Sequence, residues 1–156
     1  DDPRQVVSVT ARLKVPGFGY TTLQVVPAQG PVRLAGSMSD GIRTIENEHL
    51  RVTAQTNGTL SIIDKRTGRS FEQLLSFEDR ADIGDGWNHG PAVNDAIYTS
   101  SAAGADVAMI ADGPFKATLR IAVSMNVPQE FDFRAMRRSE ASMPPMRLGL
   151  CGSCRR

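Results

Sequence analysis

The chain has 156 residues, of which 40% are hydrophobic and 22% charged, a length and composition typical of one folded domain. Its 18 lysines and arginines nearly balance 17 aspartates and glutamates, and without a basic cluster this argues against nucleic-acid binding. No apolar run is long enough for a membrane span, and the first residues do not have the pattern of a signal peptide.

Apolar and polar residues alternate along most of the chain, as expected of strands whose side chains point in turn to opposite faces of a sheet. The first segment, residues 1–35, is predicted to contain two such strands, at 7–13 and 20–26. A stretch rich in glycine, proline and serine follows them. The main domain is predicted to span residues 36–156.

A β-hairpin is predicted over residues 50–63. Asn57 and Gly58 lie between its two strands, and this pair favours a two-residue type I′ turn, in which both central residues have positive φ. The next segment, residues 70–77, has a pattern that fits either a strand or a short helix, and its apolar spacing weakly favours one helical turn.

Residues 78–95 have neither periodicity and are predicted to form a long ordered loop. The loop holds five carboxylates, three glycines and the only tryptophan, Trp87. Calcium binding and a pair of glycosidase carboxylates are both open interpretations, but the EF-hand spacing is absent and turn capping is favoured. Trp87, Asn88 and His89 together suit a sugar, because an aromatic face stands beside hydrogen-bonding groups. A partly buried core tryptophan is the alternative.

The rest of the chain again predicts strands, at residues 96–100, 106–111 and 115–125, the last with the cleanest alternation. Residues 126–145 are polar and are predicted to form an extended linker before a final strand. Many short strands without a strand–helix–strand rhythm predict an all-β fold, an antiparallel β-sandwich. The hairpin and the 115–125 strand are expected at its centre.

No catalytic or metal motif stands out from the residues alone. Cys151 and Cys154 form a lone C-x-x-C, and the only histidines, His49 and His89, are far from it in sequence. A zinc site would need two more ligands, so two reduced cysteines are favoured over a metal or redox site. Reduced cysteines are typical of a cytoplasmic protein, which is the predicted location. Neither a nucleophile elbow nor a phosphate-binding loop is present.

Several groups of residues nevertheless follow one another in a recognisable order. They are Pro16 with Gly19 and Tyr20; residues 45–52; Asn57 to Leu60; Asp64, Lys65, Thr67 and Gly68; residues 77–79 with Asp82, Gly84, Asp85 and Pro91; and residues 137–139. Together they resemble glycoside hydrolase family 38, the α-mannosidases, over nearly the whole chain. The hairpin N-E-x-L-x-V and the later F-E-D-x-x-D-x-G-D carry most of the resemblance.

The resemblance implies a galactose-mutarotase-like β-sandwich of the family 38 C-terminal type, truncated at its C-terminus. In that family an N-terminal α/β barrel holds the nucleophile, the acid/base and a zinc ion bound by histidine and aspartate. None of those motifs is in this chain, so it is expected to hold no cofactor and to be inactive alone. Its implied partners are the barrel of the same retaining enzyme and a mannoside or oligosaccharide substrate. A homo-oligomer is left open.

The resemblance also implies three substrate-binding residues, Asp85, Trp87 and Asn88. Trp87 stands where the family has a tyrosine near the sugar, and it lacks the phenol oxygen, which puts the exact sugar in question. Asp82 and Asp85 are favoured as residues that hold the loop in shape. Residues 79–88 are expected to project toward the barrel and to be exposed and mobile in this chain. Two alternatives are a free-standing carbohydrate-binding module and a structural or adhesive sandwich.

Overall fold

The computed structural model describes residues 9, 11–27, 29–30, 35–144 and 146–155, the last range by its backbone alone. The described part is all-β and antiparallel, as predicted, with a single turn of 3-10 helix at Ser100–Ala102. Its strands are β1 Thr44–Glu46, β2 Leu50–Ala54, β3 Leu60–Asp64, β4 Arg69–Leu74, β5 Glu78–Asp79, β6 Tyr98–Thr99, β7 Ala105–Ala111, β8 Lys116–Met125, β9 Phe131–Asp132, β10 Arg137–Arg138 and β11 Met146–Arg155. In this part of the chain no helix is long and apolar enough to cross a membrane.

Two sheets share one hydrophobic core. The first has the strand order β1-β2-β3-β4 and the second β11-β8-β7, while β5-β6 and β9-β10 form two-stranded ribbons. Ile45 and Ala54 of the first sheet pack in the same buried cluster as Leu119, Ile121 and Val123 of the second. Each sheet thus buries the apolar face that its alternating sequence provides, which is the packing of a sandwich.

Strand β8 confirms the cleanest of the sequence predictions. Leu119, Ile121 and Val123 are at most 4% exposed, whereas Arg120 and Ser124, which point to the opposite face, are exposed. The strand is flanked on both sides, because Leu119 is opposite Gly152 of β11 and Met109 of β7. β8 is therefore the central strand of the second sheet, and its apolar face is buried in the core.

The predicted hairpin is formed by β2 and β3, but its turn differs from the prediction. Gly58 has φ +84°, while Asn57 is not among the described residues with positive φ. The N–H of Gly58 donates to the carbonyl of Gln55 at 3.0 Å, and the N–H of Gln55 donates to Thr59 at 2.8 Å. This is the three-residue loop with glycine in the left-handed position, not a type I′ turn.

The two strands predicted before residue 35 are not found. Residues 9 and 11–27 are exposed and form no strand, while residues 7, 8 and 10 of the first prediction lie outside the described residues. Alternation gives a segment two faces, but a strand also needs a neighbouring strand to pair its backbone groups. The domain boundary at residue 35 stays a prediction.

Two later segments also differ from expectation. The weakly favoured helical turn at 70–77 is wrong, because residues 69–74 are strand β4. The predicted linker at 126–145 is a long hairpin: Met143 donates its N–H to Val127 at 2.9 Å, Gln129 to Ala141 at 2.8 Å, and β9 pairs with β10 nearer the turn. We call residues 127–143 the arm.

Candidate functional site

The predicted acidic loop leaves the sandwich through the β5-β6 ribbon. Asp79 of β5 is opposite Tyr98 of β6, and residues 80–97 between them form what we call the acidic loop. A bridge between Asp82 and Pro91, with an N–H···O bond of 2.8 Å from Ile83 to Gly90, closes its outer part. We call this outer part, residues 82–91, the tip.

Asp82 holds the two sides of the tip together. Its Oδ1 accepts the N–H groups of Gly84 and Gly90, both at 2.9 Å, and its Oδ2 lies 3.2 Å from Nδ1 of His89. The backbone bonds from Gly90 and Gly84, with His89 as a further partner, lower the pKa of Asp82 to about 2. Both oxygens of this carboxylate therefore have their partners within the loop.

Asp85 shapes the turn that presents the tryptophan. Its Oδ1 accepts the N–H of Trp87 at 2.9 Å and that of Asn88 at 2.7 Å, the pattern of an Asx turn. These two bonds lower the pKa of Asp85 below its ordinary value. The side-chain amide of Asn88 lies 3.2 Å from the same oxygen. Asp85 and Asn88 thus pair with each other.

The close approach of the two sides of the tip requires glycine. A Cβ on Gly84 would overlap the carbonyl oxygen of Asn88, and one on Gly90 would stand 2.7 Å from the backbone nitrogen of Gly84. Both contacts involve backbone, which cannot rotate away as a side chain can.

The tip carries Trp87 outward. Its side chain is 94% exposed, so Trp87 is not a core residue, and Asp85 and Asn88 beside it are exposed as well. The structure thus brings the three predicted substrate-binding residues together on one exposed turn. The mobility expected of residues 79–88 stays a prediction.

A buried ion cluster at the base of the acidic loop has no counterpart in the sequence predictions. Arg138 of the arm donates to Oδ2 of Asp79, lies 3.7 Å from Oδ1 of Asp95, and stacks 5.4 Å from the centroid of the Tyr98 ring. The side chain of Arg138 is 9% exposed and that of Asp95 10%. Arg138 lies in the segment predicted to be a polar linker, and only its place in the family-like group of residues 137–139 singles it out.

A cleft of about 490 Å³ lies beside strand β6. Tyr98, Ala103, Ser124 and Asn126 are among its lining residues. None of the three predicted substrate-binding residues lines it.

Comparison with known proteins gives a sequence relative and structural neighbours. No protein-family model matches the chain. A protein of Halalkalibacterium halodurans named as a mannosylglycerate hydrolase is 32% identical over 99 residues, which is 64% of this chain and 11% of that protein.

Two solved structures from Enterococcus faecalis have the same fold. An α-mannosidase superposes with a TM-score of 0.72 at 25% identity, covering 78% of this chain and 15% of its own. A protein in glycosyl hydrolase family 38 gives 0.75 at 24% identity, covering 82% of this chain and 17% of its own. Over most of its length the chain is therefore similar to a domain of family 38 proteins. The resemblance stated from the sequence motifs is confirmed, and so is the fold class.

The family 38-like domain spans a small share of each of these longer proteins.

The zinc of family 38 does not fit the described residues of this domain. Among them no three His, Cys, Asp or Glu side chains come together in a way that could hold a metal. His49 lies 3.3 Å from Glu48, and His89 lies beside Asp82, whose other oxygen is occupied by two backbone N–H groups. Cys151 and Cys154 lie in β11, where only the backbone is described.

Proposed function

We propose that this chain is the non-catalytic β-sandwich portion of a retaining, metal-dependent α-mannosidase-type glycoside hydrolase. In this proposal it supports the catalytic barrel, and the tip of its acidic loop completes the sugar site. The proposal is supported by the likeness to family 38 structures and by one local observation: Trp87 is held out into solvent by a hydrogen-bonded turn.

An exposed tryptophan on a fixed turn is chemically suited to a sugar. Burying the apolar face of the indole against the C–H groups of a pyranose removes both from water, and the ring N–H remains available to a hydroxyl. Because Asp85 bonds the Trp87 backbone, little conformational freedom is lost there on binding. Asp85 and Asn88 are the polar neighbours in this proposal.

The remaining chemistry belongs to other parts of the larger enzyme. The nucleophile, the acid/base and the zinc ion lie in the N-terminal α/β barrel, and the substrate is a mannoside or an oligosaccharide that contains mannose. The chain by itself has no hydrolytic activity in this proposal. A cytoplasmic location, argued from the two-cysteine composition, is part of the same proposal.

The proposal is tested by replacing Trp87 with alanine in the full-length protein that contains this chain. The variant should lower kcat/KM for an aryl α-mannoside by about 10–100-fold, or about 1.4–2.7 kcal/mol, because it removes a contact that positions the sugar. Thermal unfolding should be unchanged, since the side chain is 94% exposed. Both quantities are measured on the same preparation.

Val93 provides the matched control, because it lies in the same loop and is 93% exposed. Val93→Ala should leave kcat/KM and thermal unfolding unchanged. Unaltered kinetics in Trp87→Ala would overturn the role of the tip. Binding of a mannoside by this chain alone would instead favour a free-standing carbohydrate-binding module, for which the exposed Trp87 is also the observation in favour.

A further inference from the structure

The guanidinium of Arg138 lies where the acidic loop begins and ends. It contacts Asp79, the last residue of β5, and Tyr98, the first residue of β6, which are opposite each other in the ribbon. Arg138 therefore bridges the two residues between which the loop leaves the sandwich.

Asp95 extends this contact into the loop itself. Its Oδ1 faces Nη1 of Arg138 at 3.7 Å, while its Oδ2 accepts the N–H of Ala81 at 2.6 Å. Ala81 is on the outgoing side of the loop and Asp95 on the returning side, so this one carboxylate joins both sides to the arginine. Ala81 is itself buried.

The arm connects this cluster to the hydrophobic core. Arg138 is paired with Phe131 across β9 and β10, and the arm enters the sandwich at Val127, which is 4% exposed. The arm begins two residues after β8, so it joins the base of the acidic loop to the strand that carries Leu119 and Ile121. The loop has a second attachment to the sandwich in addition to its own two strands.

The cluster is poorly explained as a device for stability. Oδ1 of Asp95 and Nη1 of Arg138 are buried and make no hydrogen bond, and two aspartates face a single arginine. Buried ion pairs of this kind are often no more stabilising than apolar residues of similar volume, and in some proteins their role is to specify one arrangement of the groups that they join. The cluster is better explained as a set of contacts that holds the acidic loop in one position.

We propose that Arg138 is a positioning residue for the acidic loop: its guanidinium fixes how the loop leaves the sandwich and so where Trp87 stands. The role in a sugar site rests on the proposed function, while the role in loop position does not. Arg138 acts through Asp79 and Asp95 and touches no substrate.

The loop role is tested by hydrogen exchange on this chain, comparing the wild type with Arg138→Gln. Glutamine lacks both the positive charge and the planar set of N–H donors of the guanidinium. The amide of Ala81 should therefore exchange about tenfold faster or more, and amides of the tip should also exchange faster. The amide of Leu119 in β8 should keep its rate. Arg137→Gln is the matched control, because Arg137 is adjacent in β10 and its side chain is 65% exposed.

Two results would overturn the proposal. One is unchanged exchange at Ala81, and the other is an equal acceleration at Leu119, which would make Arg138 a general stabilising residue. Arg138→Lys keeps the positive charge but not the planar guanidinium. The exchange rate of the Ala81 amide in this variant should lie between those of the wild type and the glutamine variant. A lysine variant as protected as the wild type would also count against the proposed geometry.

The link to the sugar site is tested separately in the full-length enzyme by combining Arg138→Gln with Trp87→Ala. If Arg138 acts through the tip, the double variant should lose little more kcat/KM than Trp87→Ala alone. Additive losses would overturn the link to Trp87. Faster exchange of the loop amides in Arg138→Gln, together with an unchanged kcat/KM in Trp87→Ala, would contradict the proposed function. It would still support the role of Arg138 in positioning the loop.

Discussion

At the scale of single residues, Gly58 has two reasons to be glycine. Its φ is +84°, and a Cβ there would stand 2.6 Å from Cγ2 of Val123 and 2.9 Å from Cβ of Ala105. Gly58→Ala should therefore lower the free energy of unfolding by about 2–5 kcal/mol, from left-handed strain plus overpacking of the core. Urea denaturation of the isolated chain measures it.

Gly68 separates these two effects. It has φ +69°, yet an added Cβ would meet nothing within 4 Å. Gly68→Ala should cost only the left-handed strain, about 1–2 kcal/mol. If the two variants lost equal free energy of unfolding, the close approach of the added Cβ at position 58 to Val123 would carry no extra cost.

Asp82 predicts a pH dependence of the tip. Its pKa is lowered from 3.8 to about 2 by hydrogen bonds that only the carboxylate form accepts fully. The contribution of these bonds is thus complete above pH 3.8 and is lost as the pH falls toward 2. In NMR titrations below pH 5, the amide shifts of Gly84 and Gly90 should move with a midpoint near 2.

Asp82→Asn is the control for this titration, because an asparagine oxygen still accepts hydrogen bonds but does not titrate. The shifts of the two glycine amides should then lose that transition. A wild-type midpoint at or above 3.8 would show that the bonds to Gly84 and Gly90 do not persist in solution.

At the scale of elements, β8 is the strand on which the second sheet depends. Leu119 is 2% exposed, and its neighbours in the core come from both sheets. Leu119→Asp would bury an unpaired carboxylate and should destabilise the chain by about 4 kcal/mol or more, enough to prevent folding. Circular dichroism and thermal unfolding report the loss.

Arg120→Asp tests the same strand on its other face. Arg120 is exposed, so an aspartate there should leave the unfolding transition nearly unchanged. A cooperative, wild-type-like transition in Leu119→Asp would contradict the assignment of the buried face.

The elements that the sequence predicted well are those whose pattern is local. β8 has uninterrupted alternation, and the β2-β3 hairpin has a glycine turn between two alternating strands. The arm was missed because its backbone pairs join residues as far apart as Val127 and Met143 through polar sequence. Residues 20–26 were overpredicted for the opposite reason, since alternation alone does not supply a pairing partner.

At the scale of the whole molecule, the candidate site also has a part that local sequence predicted and a part that depends on distant contacts. Trp87 and its neighbours were found through motif resemblance and local chemistry, and Asp85 caps its own loop two and three residues away. Arg138 was missed because its meaning depends on residues about 40 and 60 positions earlier in the chain, Asp95 and Asp79. Single-sequence patterns carry no signal for such distant contacts.

The acidic loop is held at two levels by different side chains. Arg138 and Asp95 fix its base, whereas Asp82 and Asp85 fold its tip. Because the two sets share no residue, we expect substitutions within the tip to leave the attachment of the loop and the sandwich unchanged. In evolutionary terms the tip is a separable unit, whose sequence can diverge between descendants while selection for folding acts on the scaffold below.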